Sequence, residues 1–354
     1  NLYLFAVKCN LSNKKVKTKT SDEKAKVYIT IQVIFTLILT LLISLKLKAL
    51  ALFLVIPIMN MFNQIANYIL SKIVKPKLIP KIDLEDGIPE NLKTVCVIPV
   101  MLNGVSKVDE IFNKLEVYYL ANKSENLYFT LLGDCKESTL ENTKQDELIV
   151  SEGIKKAKEL NKKYGEKFFF IYRKRVWSSS EQKFIGWERK RGAITEFNSF
   201  LMNNKNNFLA NTCNDFFIKN RVKYVITLDE DTNLILDSAK KLVGTMAHIL
   251  NRPEINKIKD RVDKGYSIIQ PRIEIDMDDA RKNKFTCIFT ESQGLDIYTN
   301  TISNFYQDNF NEGIYTGKGI YDVEVFNKIL KDQIPENKVL SHDLLEGNFL
   351  RAGY

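Results

Sequence analysis

Thr227-Leu228-Asp229-Glu230-Asp231-Thr232 sets two carboxylates one residue apart, directly after an apolar run. In an extended or tightly turned backbone alternate side chains project to the same side. Asp229 and Asp231 can therefore hold Mg2+ or Mn2+ through hard oxygen donors, and such a cation can bridge a diphosphate, a leaving group that needs its charge neutralised. The plainer reading is a polar turn whose aspartates cap the next helix. An Asp-x-Asp pair is a weak motif by itself, and the strand before it and helix after it are what give this one weight.

Four other segments carry chemistry-bearing residues. Asp134 ends a second apolar run, Leu131-Leu132-Gly133-Asp134, where an acid can accept from a base N–H or a ribose hydroxyl, or can simply make a turn. Glu188-Arg189-Lys190-Arg191-Gly192 precedes a helical pattern containing Asn198. A basic cluster at a helix N-terminus suits a phosphate, although charge runs are more often solvated turns. Gly313-Ile314-Tyr315-Thr316-Gly317-Lys318-Gly319 holds three glycines in seven positions, which fits either close approach of backbone to a ligand or a plain loop. Ser341-His342-Asp343-Leu344-Leu345-Glu346-Gly347 opens a helical pattern with Ser341 as a possible N-cap. Asp343 can act there as a general base, or merely complement the helix dipole.

These residues need a frame that gathers them. Short apolar runs at 94–100, 127–132, 168–172, 224–228 and 267–270 read as strands, and amphipathic stretches at 105–121, 147–164, 192–203, 238–250 and 280–306 read as helices. Their alternation predicts an α/β fold with a mixed, mostly parallel sheet flanked by helices. Ligands bind such sheets at the carboxyl ends of the strands, where several of the residues above fall. The stretch 203–220, rich in Asn and aromatic residues, carries no functional reading.

Before this part lie two uncharged apolar runs, 27–45 and 49–70, each long enough to cross a bilayer. They predict a transmembrane helix hairpin with Lys46, Leu47 and Lys48 at its turn. The lysines before it (Lys14, Lys15, Lys17, Lys19, Lys24, Lys26) and after it (Lys72, Lys75, Lys77, Lys81) outnumber those in the turn, which places both flanks, and the larger domain, on the cytoplasmic side. The alternative is a buried helical hairpin of a soluble domain. The expected organisation is a basic segment at 1–26, the hairpin at 27–71, a proline-containing linker along the membrane surface at 72–92 and the α/β domain at 93–354. The chain starts at Asn1 and stops at Tyr354, and reads as a segment of a longer protein.

Composition narrows the chemistry. The formal charge of +9 over 354 residues suits contact with anionic lipid or a nucleoside diphosphate, and no nucleic-acid-reading motif accompanies it. Cys9, Cys96, Cys135, Cys213 and Cys287 are scattered, odd in number and without a Cys-x-x-Cys pair, which argues against disulfides and zinc. Only His248 and His342 are present, so a histidine-rich metal site is excluded.

Taken in order, several of these segments resemble the glycosyltransferase domain of cyclic β-1,2-glucan synthases. They are Gly186-Trp187-Glu188-Arg189-Lys190-Arg191-Gly192 with Glu196-Phe197-Asn198; the Asp229 to Asp231 segment; Leu242-Val243-Gly244-Thr245-Met246-Ala247-His248 with Asn251-Arg252-Pro253; Gln270-Pro271-Arg272; Tyr315 to Val323; and Leu340 to Gly347. The resemblance runs over residues 93–354, with the hairpin where the family would carry it.

That resemblance implies a GT-A fold related to the processive cellulose and hyaluronan synthases. It maps nucleotide-sugar binding to Asp134, Lys190, Arg191, Gly192 and Asp229, and Mg2+ or Mn2+ to Asp229 and Asp231. It maps the catalytic base to Asp343, and the acceptor side to Gly317, Lys318, Gly319, His342 and Glu346. His342 stands where relatives often carry Glu, which leaves the neighbour of the base open. The implied reaction is inverting transfer of glucose from UDP-glucose to the 2-hydroxyl of a growing β-glucan, at the bacterial inner membrane. A Gln-x-x-Arg-Trp segment, later membrane helices and a downstream carbohydrate-active domain of the same parent chain would follow. The alternatives are a related membrane polysaccharide synthase with another sugar or linkage, and a non-catalytic transferase-like scaffold.

Overall fold

The computed structural model describes residues 21–203, 208–213, 215–273, 281–285, 287, 305–331, 333–336, 338–339 and 342–354. The basic stretch through residue 20, Ser341 and most of the helix expected at 280–306 lie outside the described residues. The chain divides into two compact units. One runs up to Lys77 and includes Phe305–Asn311, and the other takes the remainder from Leu78 to Tyr354.

The first unit is built on α1 (Ser21–Leu47) and α2 (Val55–Ile73), joined by a 3-10 turn at Lys48–Leu54. Pro57 falls in the first turn of α2, where its missing N–H would have had no intrahelical partner. Both helices are long and apolar enough to cross a membrane. Leu37, Leu41 and Leu45 are 62%, 66% and 77% exposed, far from the burial of a soluble core helix. Contacts between the pair include bonds from the Tyr28 hydroxyl to Asn63 at 3.0 Å and Asn67 at 2.8 Å, and Phe35 stacking on Phe62 with ring centroids 4.5 Å apart. Tyr28 also meets Phe305 of the short helix Phe305–Phe310.

In the second unit the chain runs β1 (Thr94–Leu102), α3 (Val105–Ala121), β2 (Leu127–Cys135), α4 (Lys144–Tyr164), β3 (Phe168–Arg173), the hairpin β4 (Val176–Ser178) and β5 (Lys183–Ile185), then α5 (Arg189–Asn203). It continues through β6 (Phe208–Asn211), β7 (Tyr224–Thr227), α6 (Ser238–Ala247), the hairpin β8 (Glu254–Asn256) and β9 (Arg261–Lys264), and β10 (Ile268–Ile269). It closes with β11 (Gly319–Asp322), α7 (Val323–Leu330), α8 (Asp343–Leu350) and β12 (Ala352–Gly353). The helix expected to run to 250 ends at Ala247, where His248 turns extended and a 3-10 turn follows.

The main sheet has eight strands in the order β12-β10-β11-β7-β1-β2-β3-β6. The central β7, β1, β2 and β3 are parallel, while β6 and β11 join antiparallel. The expected mixed, mostly parallel sheet flanked by helices is therefore present. Strand order reverses between β1, which is followed by β2 on one side, and β7 on the other, so a crevice opens at their carboxyl ends.

Side-chain parity then decides what enters that crevice. Cys96, Ile98 and Val100 of β1, Phe129 and Leu131 of β2, and Phe168 and Phe170 of β3 pack on the face covered by α3, α4 and α6. Val95 and Val97, Tyr128 and Leu132, Phe169 and Ile171, and Val225 pack on the opposite face, with Ala193, Ile194 and Phe197 of α5. Each such fully buried large side chain contributes roughly 1.5–3 kcal/mol. Counting on by twos, Asp134, Arg173 and Asp229 all continue the second set, beyond the last apolar layer on the side of α5. Residues 80 and 82, in the segment read as a linker, are hydrogen-bonded within this unit: Asn251 donates to the Pro80 carbonyl and Ile82 N–H to Gly244.

Candidate active site

Arg173 anchors the crevice. It is fully buried at the end of β3 and donates to Asp134 at 2.9 Å, Glu196 at 2.7 Å and the Trp187 carbonyl at 2.7 Å. A guanidinium can satisfy all of these because its donors form a fixed fork. The arginine thus ties β2, β3 and the loop entering α5 into one rigid corner. Asp134 also accepts from the Cys135 N–H at 3.0 Å, and burial pushes its carboxyl above the usual range despite Arg173. The reading of the sequence missed Arg173. Its signal was a cation ending an otherwise apolar strand, in the same position relative to β3 as Asp134 holds on β2.

The loop into α5 is tightly wound. Glu188 and Arg189 both adopt left-handed φ values of 51° and 49°. A Cβ on Gly192 would stand 1.7 Å from the Trp187 carbonyl oxygen, so only glycine lets the chain close here. The two cations that precede this glycine diverge. Lys190 reaches Asp229 and also donates to the Gly317 carbonyl at 3.1 Å. Arg191 turns away, paired with Glu188 at 2.7 Å and donating to the Ile334 carbonyl at 3.2 Å. Gly192 and Arg191 are therefore structural neighbours of the crevice, and Lys190 is the residue of this motif that touches the Asp-x-Asp segment.

The glycine-rich segment enters by strand register. Gly319 pairs with Thr227 in the antiparallel β11–β7 ladder. Continuing that register past the strand ends brings Lys318 and Gly317 alongside Leu228 and Asp229. Lys318 Nζ lies 3.0 Å from Asp229 Oδ2, so Lys190 and Lys318 hold one oxygen each of the same carboxylate. Asp231 is exposed, and its carboxylate accepts only a 3.3 Å bond from the adjacent Thr232 hydroxyl among the described residues. Two hard carboxylates one residue apart could hold a divalent cation: Asp231 is accessible, whereas both oxygens of Asp229 are held by lysines.

Gly317 links this cluster to the start of α8. At φ 78°, a Cβ on it would stand 2.8 Å from both carboxylate oxygens of Asp343. The loop is held by Gln270, a residue of the Gln-Pro-Arg segment, whose side-chain oxygen accepts from Thr316 N–H at 2.9 Å. Asp343 lies in the first turn of α8. His342 Nδ1 is 2.9 Å from Glu346 and 3.6 Å from Asp343. Burial raises the Glu346 carboxyl above its ordinary value, opposed by its bond to His342.

The structure therefore brings Lys190, Asp229, Gly317, Lys318, Asp343, His342 and Glu346 into one connected cluster. Asp231 stands at its open side. Asp134 sits on Arg173 in the same crevice. Gly319 serves β11.

Sequence comparison finds a relative of substantial identity. The cyclic beta-(1,2)-glucan synthase NdvB of Rhizobium meliloti (strain 1021) is 38% identical over 291 residues, covering 81% of this chain and 10% of that protein. The chain thus matches about a tenth of the length of the curated relative. No family model matches it.

Proposed function

The chain belongs to the cyclic β-1,2-glucan synthase family, and from that premise we propose that it is the glucosyltransferase part of a membrane-bound glucan synthase. It takes glucose from UDP-glucose and adds it, with inversion, to the 2-hydroxyl of a growing β-glucan. The single observation that supports this most strongly is the continuous set of contacts from Lys190 and Lys318 through Asp229 and Gly317 to Asp343. In this reading the lysines balance the charge of a diphosphate beside the carboxylate that takes the proton. The parallel core with its crevice fits a GT-A fold.

In this reading the acceptor O–H gives its proton to Asp343 as its oxygen bonds to C1 of glucose. The C1–O bond to the diphosphate breaks, and its electron pair leaves with UDP. One in-line displacement inverts the anomeric centre. Lys190 and Lys318 shift from Asp229 to the departing diphosphate, where ammonium groups offset the developing charge. Asp229 and Asp231 would hold a Mg2+ or Mn2+ ion, which would supply further neutralisation of the leaving group. Asp134, fixed by Arg173, offers an acceptor to the nucleoside. The α1–α2 hairpin spans the inner membrane, with the basic flanks and the catalytic unit on the cytoplasmic side where sugar nucleotides are made. A growing β-glucan, the lipid bilayer and a further carbohydrate-active domain of the same parent protein are its partners.

Calorimetric titration of UDP into the detergent-solubilised protein, with and without Mn2+, tests the donor site. Metal-dependent binding that prefers UDP to ADP and GDP, and is lost in Asp231→Asn, is the expected result. Equal binding with and without metal, or in the variant, would remove the metal from the account.

A further inference from the structure

The hairpin β8–β9 ends in a turn, Lys257-Ile258-Lys259-Asp260, that serves none of the roles above. Tight turns favour Gly, Pro, Asn, Asp and Ser. Here the tip is an isoleucine, 95% exposed, between two lysines.

The turn is firmly held. The Asn256 side-chain oxygen accepts from the Ile258 N–H at 3.0 Å and the Lys259 N–H at 3.2 Å, and its amide donates to Asp263 across the hairpin at 2.5 Å. Ile255 and Val262 pack into the core below, which leaves Ile258 presented outward. A second apolar prong stands at the foot of the hairpin. In the 3-10 turn Ile249–Asn251, His248 Nδ1 accepts from the Leu250 N–H at 3.2 Å, and the Leu250 side chain is exposed. A Cβ on Gly265, just past β9, would meet the Arg252 carbonyl oxygen at 1.9 Å, so hairpin and turn pack on each other.

The strap that follows α2 is bonded to this same corner. Asn251 donates to the Pro80 carbonyl at 2.7 Å. On the strap Ile79 packs inward and Leu78 is exposed. From Ile73, the last residue of α2, to Pro80 the chain reaches about 25 Å at full stretch. The corner bearing Leu78, Leu250 and Ile258 is thus on a short tether from the end of a helix long and apolar enough to cross a membrane.

Charge selects the occupant. Among the described residues Lys257 and Lys259 stand outside the ion pairs of the hairpin, which join Arg261 to Asp263 and Lys264 to Glu254. Lysine stems lie along apolar surface while their ammonium groups reach outward. An exposed apolar tip flanked by such cations fits the boundary of an anionic bilayer, where the apolar group meets acyl chains and the ammonium groups meet phosphates.

We propose that the β8–β9 tip anchors the catalytic unit to an anionic bilayer surface, with Ile258 and Leu250 entering the headgroup region and Lys257 and Lys259 binding lipid phosphates. The inference rests on the membrane-spanning reading of α1–α2 and is independent of the donor and acceptor chemistry. Arg351, which follows α8, donates to the Asp263 carbonyl of β9 and so ties the anchor to the helix that begins at Asp343.

The test uses the full chain in nanodiscs whose lipids carry bromine on their acyl chains, which quenches tryptophan on contact. Ile258→Trp is compared with Leu148→Trp, an exposed position on α4. In phosphatidylglycerol discs the emission added by Ile258→Trp is expected to be quenched, and that added by Leu148→Trp is not. Lys257→Gln with Lys259→Gln is expected to weaken the quenching, each cation contributing about fivefold to docking on an anionic surface. Circular dichroism confirms that each variant folds. Quenching of Ile258→Trp no greater than that of Leu148→Trp, or equal in phosphatidylglycerol and phosphatidylcholine discs, overturns the anchor and leaves the membrane hairpin standing. Release of the full chain from membranes by alkaline carbonate overturns the hairpin reading and the anchor with it.

Discussion

Gly317 and Asp343 approach so closely that a single added methyl group cannot fit between them: a Cβ on Gly317 would stand 2.8 Å from the Asp343 carboxylate oxygens. The two residues come from different parts of the fold. Gly317 precedes β11 and is placed by the ladder with β7, and Asp343 begins α8. Their contact joins the carbonyl that Lys190 binds to the proposed base.

Gly317→Ala should therefore displace Asp343. At φ 78° the alanine also carries backbone strain of roughly 1–3 kcal/mol. We expect glucosyl transfer to fall by about 100-fold, the scale of a misplaced catalytic group, with a smaller loss of thermal stability. Transfer kinetics and a melting curve on the same preparation check this. Full activity with an unchanged melting temperature would mean that the contact has no catalytic consequence.

Lys190 and Lys318 divide the oxygens of Asp229 between them. If both pass to the diphosphate, Lys190→Met and Lys318→Met should each weaken UDP binding by about 10- to 100-fold, the value of a charge-assisted hydrogen bond. The same titration of uridine, which has no diphosphate, should change little. Uridine and UDP losing affinity alike would place the lysines elsewhere in the mechanism.

Away from the crevice, Asp146 and Arg175 form a buried bidentate pair at 2.6 and 2.9 Å, next to the capping box that Asp146 makes with Thr143 at the start of α4. Burial alone would raise the Asp146 carboxyl. Bonds from Arg175, Thr143 and Tyr172 outweigh it and hold the group at about 2, against an ordinary 3.8. Because the folded value is depressed, the stabilisation is fully present above pH 3.8 and is lost as pH falls towards 2. Asp146→Asn should cost about 3 kcal/mol near neutrality, because it strands a buried arginine. The stability difference between parent and variant, from denaturant melts at a series of pH values, should shrink below pH 3.8. A constant difference down to pH 2 would contradict the pair's role.

The central strands and the helices between them were legible because local pattern specifies them. Uninterrupted apolar runs such as 168–172 form strands buried on both faces, and α3 has the bounds that its periodicity gives. Asp229 was found by its position after such a run. What escaped depends on contacts between distant segments. β11 is only Gly319–Asp322, too short for a period, and exists because β7 offers an edge to pair with. The stretch after Asn203, which carried no reading, supplies the edge strand β6 in the same way. Lys318 read as belonging to the acceptor side, yet the β11 register sets it on Asp229. Arg173, the buried tie of the corner, is recognisable only once β2 and β3 are known to be neighbours.

The proposed role of Asp343 is the claim on which the account stands. Transfer of radiolabelled glucose from UDP-glucose into β-1,2-linked glucan, measured in membranes containing the protein, compares the parent with Asp343→Asn. The amide keeps the shape and removes the proton acceptor. The account predicts that the variant still binds UDP with Mn2+ and loses transfer by about 1,000-fold or more, as expected for deletion of a general base. A folded Asp343→Asn protein that transfers glucose at a comparable rate would contradict it.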